Sequence, residues 1–127
     1  MMEVFAIDAV HAARSSHGVE LDYSSDSVRD LDQILERANQ TLRMPEDTFF
    51  AFPDMWGGYL GEVIRRKWGG QWLIPSDGPF KDQICLAVRG ETISPPMQVL
   101  RRVTNGDEAN LPSYLAALER LFSSKTD

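Results

Sequence analysis

The spacing of apolar positions switches twice along the chain, from a helical period to a period of two near residue 71, and back after residue 95. The clearest helical stretch is 25–42, where Val28, Leu31, Leu35, Ala38 and Leu42 recur at three- and four-residue steps with Ile34 beside them. Such spacing lays one apolar stripe along a helix. Ser24 or Ser25 supplies its N-cap, Asp26 suits the positive end of the helix dipole, and Pro45 closes the segment. Before it, 2–16 reads as a first helix with Val4, Phe5, Ile7, Val10, Ala12 and Ala13 on its apolar face, ended by Gly18. After it, the aromatic-rich 46–52 suggests a short helical turn. Pro53, fitted to a first turn, then opens a third helix running to Trp68.

From Gln71 the alternation predicts strands near 71–75 and 83–89, joined by the turn residues Pro75-Ser76-Asp77-Gly78-Pro79, and a third strand is expected at 91–94. Pro95-Pro96 begin a short helix over Met97, Val99, Leu100 and Val103, stopped by Asn105-Gly106. A last helix from Leu111 presents Leu115, Leu118, Leu121 and Phe122. The expected fold is α+β: four to five helices on a small antiparallel sheet of two to three strands, with 1–127 as one domain. The chain has 127 residues, enough to bury a core without disulfides.

Charge changes this picture more than composition does. The net charge is −6, and all of it lies in residues 1–50, with ten acids and four bases, while 51–127 carries nine of each. A negative field repels nucleic acid and anionic membranes and speeds encounter with a basic partner. Asp26, Asp30, Asp32 and Glu36 fall off the apolar stripe of the second helix and are expected in water, with Glu20 and Asp22 leading into them. These six are the candidate partner-binding residues. No apolar run is long enough to span a bilayer and no signal peptide is evident, so a cytoplasmic location is expected.

The most specific segment is Gly57-Gly58-Tyr59-Leu60-Gly61-Glu62-Val63-Ile64-Arg65-Arg66, followed by Gly69-Gly70-Gln71-Trp72. Glycine inside a helix costs about 1 kcal/mol relative to alanine. Three glycines within five positions therefore call for close approach by neighbouring backbone. Gly57 and Gly61 share a face, which makes the third helix the expected centre of the fold. Glu62 precedes Arg65 and Arg66 by three and four residues, the favourable order for helical ion pairs. The expected role of Glu62 is structural, either a solvated ion pair or a partly buried Glu–Arg tie to the sheet; an acid, base or ligand role would need a second titratable group at a fixed place.

This segment resembles the signature of a family of small bacterial domains of unknown function. Leu21-Asp22-Tyr23-Ser24 with Ser27 and Leu31-Asp32 upstream, and Pro96 through Val103 with Asn105-Gly106 downstream, are similar to the same pattern, so the resemblance spans about 19–106. Gly57-Gly58 departs from it, since the family pattern sets alanine beside a glycine there. The resemblance carries no activity; it implies kinship with bacterial accessory and immunity-type proteins.

Other chemistry finds little footing. His11 and His17 have no Cys or carboxylate at metal-ligand spacing, Cys85 lies in an apolar run, and no phosphate-binding loop or nucleophile elbow is present. Neither a cofactor nor a metal is expected. The reading is a non-enzymatic protein-binding module, an immunity-type toxin inhibitor that captures a basic toxin or effector through its acidic N-terminal region, without nucleic acid or membrane as partner. The alternatives are a structural or regulatory subunit that binds through an apolar patch, and a small-ligand binder or enzyme with a pocket around Glu62.

Overall fold

In the computed structural model, residues 2–41 and 46–123 are described, with side chains for 2–37 and 53–123. The helices are α1 (Met2–His17), α2 (Ser25–Thr41), α3 (Glu46–Trp68), α4 (Pro95–Asn105) and α5 (Leu111–Ser123), with a 3-10 turn at Gly106–Ala109. The strands β1 (Gln71–Leu73), β2 (Cys85–Val88) and β3 (Glu91–Ile93) form an antiparallel sheet in the order β1-β2-β3. The architecture is α+β, as the periodicities imply. Leu42 and Pro45, and the side chains of Ala38, Phe49, Phe50 and Phe52, lie outside the described residues.

α3 is the centre of the molecule and packs most extensively against α1 and α4. It differs from expectation at its start: the helix begins at Glu46, and Pro53 sits inside it rather than in its first turn. Proline there removes one backbone hydrogen bond, and the burial of Trp56, Tyr59, Leu60, Val63 and Ile64 from the same helix offsets that loss.

The face of α1 is a second correction. Ala6, Ala9 and Ala13 are buried with Met2, whereas Val4 and Ile7 stand 59% and 51% exposed. The reason is distance. A Cβ added at Gly58 would lie 2.9 Å from the Phe5 Cβ and 3.2 Å from the Met2 carbonyl. Two backbones this close admit alanines between them and exclude branched side chains.

The sheet follows from local chemistry. Trp72 pairs with Leu86, and Leu86 with Ile93, so all three share one face. Arg89 and Gly90 both have positive φ, 48° and 83°, which suits a two-residue hairpin turn between β2 and β3. Ser94 caps α4 by accepting the Met97 N–H at 3.4 Å, and its own hydroxyl donates to the Ile84 carbonyl at 2.9 Å. That pair of bonds joins the start of α4 to the approach of β2. Pro95 and Pro96 then occupy positions where a missing N–H costs nothing.

Candidate functional site

The glycine-rich motif resolves into three separate close approaches. An added Cβ at Gly57 would overlap the backbone of Pro96 at the start of α4, and one at Gly61 would overlap the indole of Trp72. Gly58 faces α1 instead. Gly69 (φ 84°) ends α3, its N–H donating to the Arg65 carbonyl at 2.7 Å, and an added Cβ at Gly70 (φ 127°) would lie 2.8 Å from the Ala87 carbonyl oxygen.

With Trp72 seated on Gly61, its indole N–H donates to Glu62 Oε2 at 2.8 Å. Arg65 completes the arrangement with two parallel bonds, Nε to Oε2 and Nη2 to Oε1, each 2.8 Å. Glu62 is 1% exposed, and both of its oxygens are engaged. Burial alone would push its pKa up; the bonds from Arg65 and Trp72 and the charges of Arg65 and Arg66 outweigh burial and hold it below the usual carboxylate value. Glu3 of α1 adds a weaker 3.6 Å contact to Arg65. Glu62 is therefore a tie between α3 and the first strand.

Tyr59, one residue past Gly58, is buried, and its hydroxyl accepts the Tyr23 backbone N–H at 2.8 Å and lies 2.5 Å from the Ser27 hydroxyl. The two tyrosine rings sit 4.9 Å apart, and the Arg66 guanidinium stacks 3.6 Å above the Tyr23 ring. Beside them the α2 N-terminus is capped in sequence. Asp22 accepts the Ser24 N–H and hydroxyl at 3.1 and 2.6 Å, and the Ser24 hydroxyl accepts the Ser27 N–H at 3.1 Å. Ser24 is thus the cap, and Leu21-Asp22-Tyr23-Ser24 with Ser27 works as one helix-starting device. Tyr23, at φ 66°, is held in the left-handed region by these bonds.

The acidic residues of α2 divide. Asp32, expected in water, is 6% exposed. It accepts from Arg102 Nε at 2.8 Å and Nη2 at 3.4 Å, and from the Leu111 N–H at 2.8 Å. Half-buried Glu36 takes the Arg102 Nη2 at 2.6 Å. The stripe rule failed here because Arg102 is itself buried on α4 and draws two carboxylates inward; the ion pair joins α2, α4 and the start of α5. Among the described residues, Arg102 Nη1 has no hydrogen-bond partner. Glu20 pairs with Arg14 through two 2.8 Å bonds on the surface. Asp22, Asp26 and Asp30 remain exposed on or beside α2, along with Arg29 and Arg37. Lys67 reaches Ser25 at 3.1 Å. The outward field is thus weaker than the run of acids implies.

Among the described residues no group of three or more His, Cys, Asp or Glu side chains is placed to hold a metal ion, and no helix is long and apolar enough to cross a membrane. Exposed apolar side chains are Val4 and Ile7 on α1, Leu73 and Ile74 at β1, and Leu121 on α5. Of these, Leu73 and Ile74 line an open groove of about 270 Å³ with Met2, Glu3, Trp72 and Ile84. Sequence reasoning missed the groove because its walls come from α1, β1 and the approach to β2, which only the fold brings together.

The arrangement defines an α+β domain whose most distinctive residues serve packing and interhelical ties. Comparison of the chain with protein-family models, curated proteins and solved structures finds no match.

Proposed function

We propose that this chain is a non-enzymatic protein-binding module of the immunity type, which neutralises a basic toxin or effector by capture at the start of α2. The observation that carries the reading is the division of the acids. Asp32, Glu36 and Glu62 are neutralised by arginines within the fold, and Asp22, Asp26 and Asp30 are left facing water. Carboxylates on a preformed, capped helix steer and orient a cationic partner at little ordering cost. The resemblance to immunity-type domains points the same way, and so does the engagement of both Glu62 oxygens by Arg65 and Trp72.

Reversing Asp26 and Asp30 to lysine, with Asp22 kept because it holds Ser24 in the cap of α2, should slow association at least tenfold at low salt and leave the unfolding midpoint within a few degrees. Surface plasmon resonance against the isolated partner, at 50 and 500 mM salt, measures this; unchanged association would sink the acidic-capture reading. A second reading, a subunit that binds through an apolar face, is favoured by the exposure of Val4, Ile7, Leu73 and Ile74. It expects association that salt does not slow and that Ile7→Asp abolishes.

A further inference from the structure

Between α3, α4 and the approach to β2, an open cleft of about 430 Å³ is lined by Pro53, Asp54, Asp82, Ile84, Met97 and Leu100, among others. Its walls are largely apolar, and its charged lining residues are two carboxylates with no base between them. Asp54 is half-buried, and among the described residues it has no hydrogen-bond or ion-pair partner. That sets it apart from Glu20, Asp32, Glu36 and Glu62, each held by an arginine. A carboxylate partly withdrawn from water without a compensating charge destabilises the fold it sits in. Burial accordingly pushes the Asp54 pKa up.

We infer that this cleft receives one lysine or arginine side chain of a protein partner, its aliphatic stem against Met97, Leu100 and Ile84 and its cationic head between Asp54 and Asp82. Charge complementarity selects the occupant. An anion would meet two like charges, a neutral apolar group would leave Asp54 uncompensated, and a bare metal ion would gain nothing from the apolar walls. A basic side chain satisfies both halves of the lining. The inference rests on the protein-binding reading only for the source of the side chain, and it names the chemistry that a partner must present.

The test uses the full chain, ¹⁵N-labelled, titrated with capped tripeptides Gly-Arg-Gly and Gly-Lys-Gly, with Gly-norleucine-Gly as the neutral isostere and with free n-butylamine. The cationic peptides should shift the amides of Asp54, Ile84, Met97 and Leu100 saturably, at least tenfold more tightly than the norleucine peptide. Asp54→Asn should abolish the response while leaving the spectrum folded and the unfolding midpoint equal to or above that of the unsubstituted protein. No shift with either cationic peptide, or equal shifts with norleucine, would overturn the inference. So would binding of butylamine without binding of the peptides, which would make the cleft a site for a free amine. Because the probes are peptides, these outcomes are independent of the charge reversal at Asp26 and Asp30, and either proposal can fail alone.

Discussion

Asp30 and Asp32 stand two residues apart on the same helix, yet they do opposite things. Asp30 faces water, while Asp32 holds Arg102 and the first N–H of α5. Removing Asp32 would leave a buried guanidinium with Glu36 as its one remaining carboxylate and the Leu111 N–H without an acceptor. Breaking a buried pair from one side typically costs about 3–5 kcal/mol. Asp32→Ala should therefore lower stability by about that amount, and Asp30→Ala by under about 0.5 kcal/mol; urea unfolding of the two variants measures the difference. Equal effects would mean that the ion pair contributes nothing to holding α2, α4 and α5 together. The periodicity of α2 could not separate the two aspartates, because the partner lies 70 residues away on α4.

At the scale of elements, α3 is fixed by what its glycines leave out. Gly57 admits the Pro96 backbone, Gly58 admits α1, and Gly61 admits the Trp72 indole. Overpacking at such contacts costs about 1–3 kcal/mol, more than the helix propensity that alanine would gain, about 1 kcal/mol. Gly57→Ala and Gly61→Ala should each destabilise the protein, and Gly61→Ala should also shift tryptophan emission by displacing Trp72 from Glu62. Thermal unfolding with fluorescence detection reads both, and a stabilised Gly61→Ala would contradict the packing. The need for close approach was legible in the sequence as three glycines in a helix. The identity of what approaches each one was not, since it comes from α1, β1 and α4 together. The same closeness explains α1, where hydrophobicity favoured Val4 and Ile7 but the narrow gap selected Ala6, Ala9 and Ala13.

For the molecule as a whole, the ties between carboxylates and arginines make acid the expected weakness. A carboxylate with a depressed folded pKa binds fewer protons folded than unfolded. Its contribution is present above the ordinary value, 4.5 for Glu62, and is lost as pH falls through the lower folded value. Glu62, Glu20 and Asp22 are all shifted in that direction. Asp54, raised by burial, acts oppositely: it is a liability at neutral pH that protonation relieves. Stability from urea unfolding should fall as pH drops below about 5, and Glu62→Gln should flatten that fall while costing about 1–3 kcal/mol at pH 7. A slope unchanged by Glu62→Gln would place the acid sensitivity elsewhere.

The sequence by itself determined the class of fold and every element but the start of α3, because helical and strand periods, capping serines and turn glycines act over a few residues and require no knowledge of neighbours. It also marked the segment from Gly57 to Trp72 as the place of tightest packing. Tertiary structure alone decided which carboxylates face water. Asp32, Glu36 and Glu62 are drawn inward by arginines and an indole brought from other elements or the next helical turn, whereas Asp54 is half-buried with no such partner among the described residues. Charge at a residue is a property of sequence; whether that charge is compensated depends on what the fold places within about 3 Å of it.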